Sequence, residues 1–389
     1  MTDAGPYTEL PMPGSLEPIE IILKLPGEAC NLNCVYCYQK RQPEKSDGFI
    51  SPDLIAQLKG AVGDRPLSIG LHGGEPLLIG LGRMRELLQS LTQLNVVEIK
   101  LQTNGVLLDA AWLQVLRESP IPVVVGISHD GPEELSENRI DYRGSASRSA
   151  SACGLQQLSR AGMHFGVICV VSKANVRSPE RLIDFFAAHP GLSTVNFVPC
   201  FDHGVISRAT AGRSGAIIRR QNPSGSGSPA WAIEPLEFLA FLQRAWSAWK
   251  DRPEFIIEPF VSVIRVLNGR RPESCDFTAE KCAHVFTIYP DGKITSCDEF
   301  ESDLADLGGN LFASRARWPE PSGYGRLSAV ARQHLGKCQS CSHQSTCGGG
   351  CIATRERYRG SRHYEEYCSY KKGLIDFISA QLERANALA

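Results

Sequence analysis

No apolar run in the chain approaches the roughly 20 residues that a membrane-spanning helix needs; stretches such as Val123-Val124-Val125-Gly126-Ile127 are strand-sized. A bilayer span is therefore not expected. Neither charge is in excess: 41 Lys and Arg face 42 Asp and Glu, a net charge of -1, whereas a general nucleic-acid binder carries a basic surplus. The opening Met1-Thr2-Asp3-Ala4-Gly5-Pro6 lacks the basic patch and apolar segment of a secretory signal, so cytoplasmic residence is expected. Disorder is equally unsupported. Hydrophobic residues at 42% and charged residues at 21% are globular proportions, and 389 residues suffice for two or three domains.

What is abundant is cysteine. Fourteen in one chain is high for a reducing compartment, where disulfides are disfavoured and metal ligation is the better reading. Their positions divide the sequence. Residues 1–17 carry Pro6, Pro11 and Pro13 with little apolar pattern and read as a flexible leader. From 18 to 203, β-branched runs at 19–25, 67–72, 96–103, 123–128, 165–171 and 194–199 alternate with amphipathic segments such as 51–62 and 181–188. This is the pattern of repeated βα units around a parallel sheet. Residues 204–270 form a linker with Arg208, Arg213, Arg219 and Arg220 and a Pro/Ser/Gly run at 223–229, then a helix over 234–250 with an apolar stripe. The last part, 271–389, is loop-rich and cysteine-dense, as if a metal must hold it together, before a final helix over 370–388.

Cys30-Asn31-Leu32-Asn33-Cys34-Val35-Tyr36-Cys37 follows the first strand, at the end where βα barrels place their chemistry. Three thiolates from one loop can hold three irons of a four-iron, four-sulfur cluster and leave the fourth open to a small molecule. A zinc knuckle borrowing a fourth ligand uses the same residue types. The cysteine spacing closely resembles that of the radical S-adenosylmethionine (SAM) superfamily, and further segments fall in matching order: Gly73-Gly74-Glu75-Pro76 after the second strand, Thr103-Asn104-Gly105 after the third, and Ser128-His129-Asp130-Gly131 after the fourth.

The resemblance implies an α/β fold, a partial (β/α)6 TIM-like barrel followed by a small iron–sulfur domain. It also implies a cofactor pocket holding SAM against a cluster on Cys30, Cys34 and Cys37, with Tyr36, Gly73, Gly74, Glu75, Pro76, Asn104, Ser128 and Arg139 as cofactor contacts. Glycine permits close backbone approach, and the forked guanidinium of Arg139 suits a carboxylate, with Arg143 as the alternative. His72 and His129 are read as wall or structural histidines, since the chemistry needs no imidazole. Cys153 and Cys169 lie in apolar periodic segments and are expected to be buried, while Cys200 ends the sixth strand near the pocket.

In the last part, Cys282, Cys297, Cys338, Cys341, Cys347, Cys351 and Cys368 resemble the seven-cysteine pattern of the SPASM domain of peptide-modifying radical enzymes. With Cys275 they make eight, the number for two closed four-thiolate clusters, although two zinc sites could use the same residues. By similarity to anaerobic sulfatase-maturing enzymes, Cys275, Cys282, Cys297 and Cys351 are implied for one auxiliary cluster and Cys338, Cys341, Cys347 and Cys368 for the other. The same similarity makes Asp298 the candidate catalytic base.

The cofactors so implied are SAM and three [4Fe-4S] clusters, and the partners a peptide or protein substrate and a flavodoxin- or ferredoxin-type reductant, with no nucleic acid and no membrane. The activity is reductive cleavage of SAM to a 5′-deoxyadenosyl radical, hydrogen abstraction and an oxidative modification: a cross-link such as a cyclophane, a formylglycine-type oxidation or a dehydrogenation. Two other readings stay open, a radical SAM dehydrogenase of a small molecule and a non-catalytic iron–sulfur or zinc electron-transfer protein. Since about seventeen residues precede the barrel, leader-peptide recognition is expected from the barrel cleft, the 208–229 segment or a separate protein rather than an N-terminal winged-helix module.

Overall fold

Alternation of buried and outward residues along each β-branched run makes a strand with one face in the core. In the computed structural model, which describes residues 18–41, 46, 48–201, 205–206, 219–220, 229–252, 254–278, 282, 285–300, 304, 306–313 and 325–388, twelve such segments are strands. They are β1 (Ile19–Lys24), β2 (Leu67–His72), β3 (Val96–Thr103), β4 (Val123–Ser128), β5 (Phe165–Val171), β6 (Leu192–Pro199), β7 (Val205–Ile206), β8 (Arg219–Arg220), β9 (Ile256–Glu258), β10 (Val285–Ile288), β11 (Lys293–Thr295) and β12 (Asp306–Asn310). Ten form one sheet in the order β12-β11-β10-β1-β2-β3-β4-β5-β6-β9. From β10 through β9 every neighbouring pair is parallel, and β11 pairs antiparallel with both β10 and β12.

The six strands expected from the sequence form the middle of this sheet in chain order. The structure adds the two ends of the parallel run. β9 lies beside β6 with Glu258 in register with Asn196, and β10 lies beside β1 with Phe286 opposite Ile21. Both are short strands in segments that lack a periodic signature of their own.

Helices α1 (Pro52–Val62), α2 (Leu81–Ser90), α3 (Ala110–Arg117), α4 (Arg148–Arg160) and α5 (Pro179–Ala187) connect the strands. Their starts are written locally: Ser51 accepts from the amide of Leu54 at 3.2 Å before α1, and Asp109 accepts from that of Trp112 at 3.0 Å before α3. α4 buries Ser151, Gly154, Leu155 and Leu158 along one stripe, which leaves Cys153 on the outer side. The expectation that Cys153 is buried is therefore corrected: it is exposed, whereas Cys169 is fully buried on β5. Apolar periodicity marks a helix, but the stripe phase decides which cysteine faces in.

Helix α6 (Pro235–Trp249) opens with a capping box between Glu234 and Glu237 and packs against α5 and the final helix, His363–Leu388. An aromatic seam runs through this contact: Phe241 meets Phe197 edge-on at 5.0 Å between centroids, and Phe238 meets Tyr370 at 5.4 Å. The final helix starts before residue 370, because its first turns carry Glu365 and Glu366 on one side while burying Tyr367 and Tyr370 on the other. α7 (Phe260–Leu267) follows β9. The leader 1–17 and most of the 208–229 segment, including Arg208 and Arg213, lie outside the described residues; Arg219 and Arg220 pair as β8 with β7. No helix among the described residues is long and apolar enough to cross a membrane.

The aromatic seam sets the first prediction. Phe241 is 1% exposed, so Phe241→Ala is expected to cost about 3–5 kcal/mol of folding free energy through lost burial and a residual cavity. A shift in the urea unfolding midpoint measures it, and a loss under about 1 kcal/mol would show that the seam is not part of the cooperative core.

Candidate active site

Because the parallel strands all end at one edge, the loops that leave them converge there. They enclose a cavity of about 450 Å³ whose wall includes Cys30, Cys34 and Cys37 from the loop after β1, Gly73 and Gly74 after β2, Asn104 after β3, Ser128 on β4, and Arg139.

The cysteine loop is held by its neighbours. The Asn33 amide donates to the Ile140 carbonyl at 2.7 Å and the Val35 amide to that of Asn138 at 3.0 Å, which sets Tyr36 against Arg139. The sulfur of Cys30 accepts from the Leu32 amide at 3.4 Å and from Asn104 Nδ2 at 3.8 Å. Behind the loop, the Glu75 amide donates to the Ala29 carbonyl at 2.8 Å. A Cβ on Gly74 would fall 2.0 Å from that same carbonyl oxygen, so the bare backbone of Gly74 is a packing requirement of the cysteine loop.

Glu75 and Pro76 do not lie on the cavity wall. Glu75 is fully buried, and its carboxylate accepts from the Leu77 amide at 3.0 Å, Thr103 Oγ1 at 2.7 Å and the Asn104 amide at 2.8 Å. It ties the end of β2 to the end of β3 and thereby seats Asn104; burial raises its carboxyl above the usual range despite these donors. The Glu75 carboxylate thus supports the wall from behind.

Tyr36, Asp130 and Arg139 form a buried chain. Arg139 Nη1 donates to the Tyr36 hydroxyl at 3.1 Å, Tyr36 donates to Asp130 Oδ2 at 2.5 Å, and Asp130 Oδ1 accepts from the Val170 amide at 3.0 Å. Arg139 is 5% exposed, and its Nε is buried without a partner. Arg143, the alternative from spacing, is exposed on a turn. Ser128 Oγ accepts from Gln102 Nε2 at 2.9 Å, and both side chains line the cavity. His129 stacks on Phe185 at 5.2 Å and accepts from the Gly131 amide; burial pushes it down to about 3. His72 is on the wall, pushed down to about 4 by burial and by Lys24.

Asp298 meets partners that the sequence reading did not identify. Its Oδ2 accepts from Lys24 Nζ at 2.5 Å, Tyr38 Oη at 2.8 Å and Gln39 Nε2 at 3.3 Å. Burial would raise its carboxyl, but the fully buried Lys24 ammonium outweighs that and holds it well below the usual range. Asp298 stands behind the wall, which Tyr38 and Gln39 form. Its neighbour Glu299 is on the wall, paired with Arg357 at 3.2 Å. Lys24, Tyr38, Gln39 and Arg357 carry no motif, so no local signal marks them.

The C-terminal cysteines fall into groups. Burial raises the Cys297 thiol, and Asp298, Cys275 and Cys282 add to the rise. Burial likewise raises Cys338, with Cys347, Cys368 and Cys341 adding and Arg355 opposing. Arg355 Nη2 donates to the Cys368 sulfur at 3.4 Å. Cys351 is on the cavity wall, and its amide donates to Tyr367 Oη at 2.9 Å, which donates to Asp276 Oδ1 at 2.9 Å. Gly348, Gly349 and Gly350 take φ of 59°, 89° and 72°, and a Cβ on Gly348 would fall 2.3 Å from the Thr278 carbonyl oxygen; this turn requires glycine. None of the fourteen cysteines is joined in a disulfide. Among the described residues, no three His, Cys, Asp or Glu side chains converge closely enough to hold a single metal ion, so the grouping rests on mutual electrostatic influence.

Residues 25–186 match the Radical SAM superfamily. The chain carries a radical SAM domain. The chain is 23% identical to a cysteine-type anaerobic sulfatase-maturating enzyme of Clostridium perfringens, over 94% of this chain and 98% of the relative. It is 27% identical to a serine-type anaerobic sulfatase-maturating enzyme of Klebsiella aerogenes, over 88% and 81%. The solved structure of native anSMEcpe with bound AdoMet and Cp18Cys peptide superposes with a TM-score of 0.76 at 21% identity, covering 96% of this chain and 100% of that one; that likeness is one of fold.

A radical SAM domain works with SAM and an iron–sulfur cluster, and the residues fit both. Three thiols from one loop share a wall, and two N–H groups point at the sulfur of Cys30. Burial pushes the Cys30 thiol up to about 12, so a thiolate there calls for a cation beside it. The partnerless Nε of Arg139 is an unmet donor, as a carboxylate-bearing ligand would require.

The Lys24 and Asp298 pair generates the second prediction. Lys24→Met removes the cation and leaves a buried carboxylate, an expected loss of about 3–5 kcal/mol at neutral pH. The wild-type carboxyl is depressed, so its contribution is present above the unfolded value of about 3.9 and is lost only as pH falls through the lower folded value. In the variant the carboxyl is raised and prefers its proton. The difference between the two proteins in urea unfolding should therefore be largest near pH 7 and shrink on acidification; a pH-independent difference would refute the pair's role.

Proposed function

We propose that the chain is a radical SAM maturase of peptides or proteins, with 18–203 as the radical SAM partial barrel, 204–270 as linker and bridging helix, and 271–389 as a SPASM-type domain. One observation carries this reading. The cavity that holds Cys30, Cys34 and Cys37 on one side is closed on the other by Asp276, Glu299, Cys351, Thr354 and Arg357 of the C-terminal segment. A substrate in it thus lies between two cysteine regions. The names of the relatives favour formylglycine-type oxidation of a cysteine or serine side chain within the proposed class, and the peptide bound to anSMEcpe favours a peptide substrate.

In this proposal Cys30, Cys34 and Cys37 hold a [4Fe-4S] cluster, and Cys275, Cys282, Cys297 and Cys351, then Cys338, Cys341, Cys347 and Cys368, hold two more. When bound, the first cluster and SAM supply a 5′-deoxyadenosyl radical that takes one hydrogen atom from the substrate. The chain's own residues do the rest. Arg139 and Tyr36, fixed by Asp130, orient the SAM carboxylate; Asn104 and the Gly73-Gly74 backbone frame its amine; Ser128, fixed by Gln102, meets the nucleoside side. Net two-electron oxidation also releases one proton and one electron. Tyr38 stands on the wall and donates to Asp298, so the proton passes to the Tyr38 oxygen as the Tyr38 proton moves to Asp298. Auxiliary clusters held by the two C-terminal cysteine sets would supply the acceptor for that electron, and a flavodoxin- or ferredoxin-type protein would supply the one that starts the cycle.

Anaerobic incubation with SAM, a reductant and short cysteine- or serine-containing peptides tests the reading: modified peptide and 5′-deoxyadenosine should form together, and iron should measure about twelve per chain. Replacing Cys30, Cys34 and Cys37 together by Ala should remove a third of the iron and all 5′-deoxyadenosine; retained cleavage would refute the assignment. Asp298→Asn should still cleave SAM while oxidised peptide falls by roughly 10²-fold or more. Undiminished product would remove Asp298 from the proton path.

A further inference from the structure

The charged groups on the cavity wall are compensated by neighbours, with one exception. Arg139 is tied to Tyr36 and faces Asp130, Arg357 pairs with Glu299, and Asp276 accepts from Lys371 Nζ at 2.7 Å. Glu258 is different. It ends β9, is 7% exposed, and lines the cavity; its buried carboxylate has the Ser262 hydroxyl and amide as its nearest donors, neither at full hydrogen-bond geometry, and no salt bridge joins it among the described residues. Its charged neighbours, Glu273 and Arg265, pair with each other. The Ser262 hydroxyl oxygen accepts from the amides of Glu273 and Ser274 at 3.1 and 2.9 Å. Burial pushes the Glu258 carboxyl up to about 7; Ser262 and Arg265 draw it down and Glu273 adds to the rise. A buried carboxylate without a cation of its own costs stability, and such groups persist where an occupant completes them.

The surroundings define that occupant. Asn196, in register with Glu258 on β6, lines the same wall, as do Phe197, Pro259 and Phe277. These neighbours make the wall around Glu258 amphipathic, and the other acids of the cavity, Asp276 and Glu299, are each paired with a cation. β9 is one end of the parallel run, with β2 through β6 between it and β1, so Glu258 and the Cys30 loop lie on well-separated strands of the sheet that builds the cavity. A neutral donor would satisfy an oxygen and leave the charge uncompensated, whereas a cation does both, and the apolar neighbours accommodate the aliphatic stem that carries it.

We propose that Glu258 is a substrate-anchoring carboxylate that receives a lysine or arginine side chain of the bound peptide, at a position other than the residue that is modified. This rests on the peptide-maturase reading and adds its specificity determinant. The anchor engages before chemistry and fixes which side chain reaches the reactive end.

The test uses the full-length holoenzyme with SAM and reductant and two degenerate pools of short peptides, one with a fixed central cysteine and one with a fixed serine, read by mass spectrometry for modified members. Lysine and arginine should be enriched about tenfold or more over methionine and glutamine at one offset from the fixed residue. Glu258→Gln should abolish that enrichment, and Glu258→Asp, which keeps the charge, should retain it. Thermal melts check that both variants fold. The anchor is overturned if the wild type shows no basic preference, if Glu258→Gln keeps it, or if Glu258→Asp loses it as fully as Glu258→Gln. If SAM is consumed and no peptide in either pool is modified, the peptide reading falls and the anchor with it.

Discussion

The parallel pairing of β10 with β1 is the contact on which the site depends. It places the first strand of the C-terminal segment beside the first strand of the barrel, so Lys24 at the end of β1 reaches Asp298, ten residues beyond the end of β10. That ion pair crosses 274 positions of sequence. It brings Cys297 to the back of the wall that Cys37 and Tyr38 form at the front. Without this registry the two cysteine regions would be separate segments with no shared cavity.

Glycine and buried acid act as framework in this site. Gly74 lies where a Cβ would strike the backbone ahead of Cys30, and Gly348 where one would strike Thr278. Glu75 and Asp130 spend their carboxylates on backbone and side-chain donors that fix Asn104 and Tyr36. Such groups are costly to bury and tolerable only when fully satisfied. Among the described residues, Glu258 is the carboxyl on the wall without a paired cation, which is why it reads as a binding group while Glu75 reads as support.

The six central strands were legible because a fully or half-buried parallel strand writes itself as a compact β-branched run, and α1, α5 and α6 because caps and apolar stripes are local. The grouping of Cys30, Cys34 and Cys37 on one wall was legible for a similar reason: three cysteines at one short spacing sit in one loop. The turn at Gly73-Gly74-Glu75-Pro76 was visible, but the engagement of the Glu75 carboxylate with Thr103 and the Asn104 amide was not, because a turn motif does not say which side chains face inward. Cys153 failed on the same point, since helical periodicity was clear and its phase was not.

What the sequence by itself determined is therefore everything carried by neighbours in the chain: the alternation of strand and helix, the cysteine loop, the glycines at its flank, and the cysteine-rich close. Only the tertiary structure decided which distant residues share a wall. β9 and β10 are too short to announce themselves, and the pairings of Lys24 with Asp298 and of Asp276 with Lys371 join charges that look solvated in sequence. Glu258 stands out only once its surroundings are known. The physical reason is that burial and charge compensation are properties of a position in space, set by sheet registry, and a linear pattern records only what lies within a few residues.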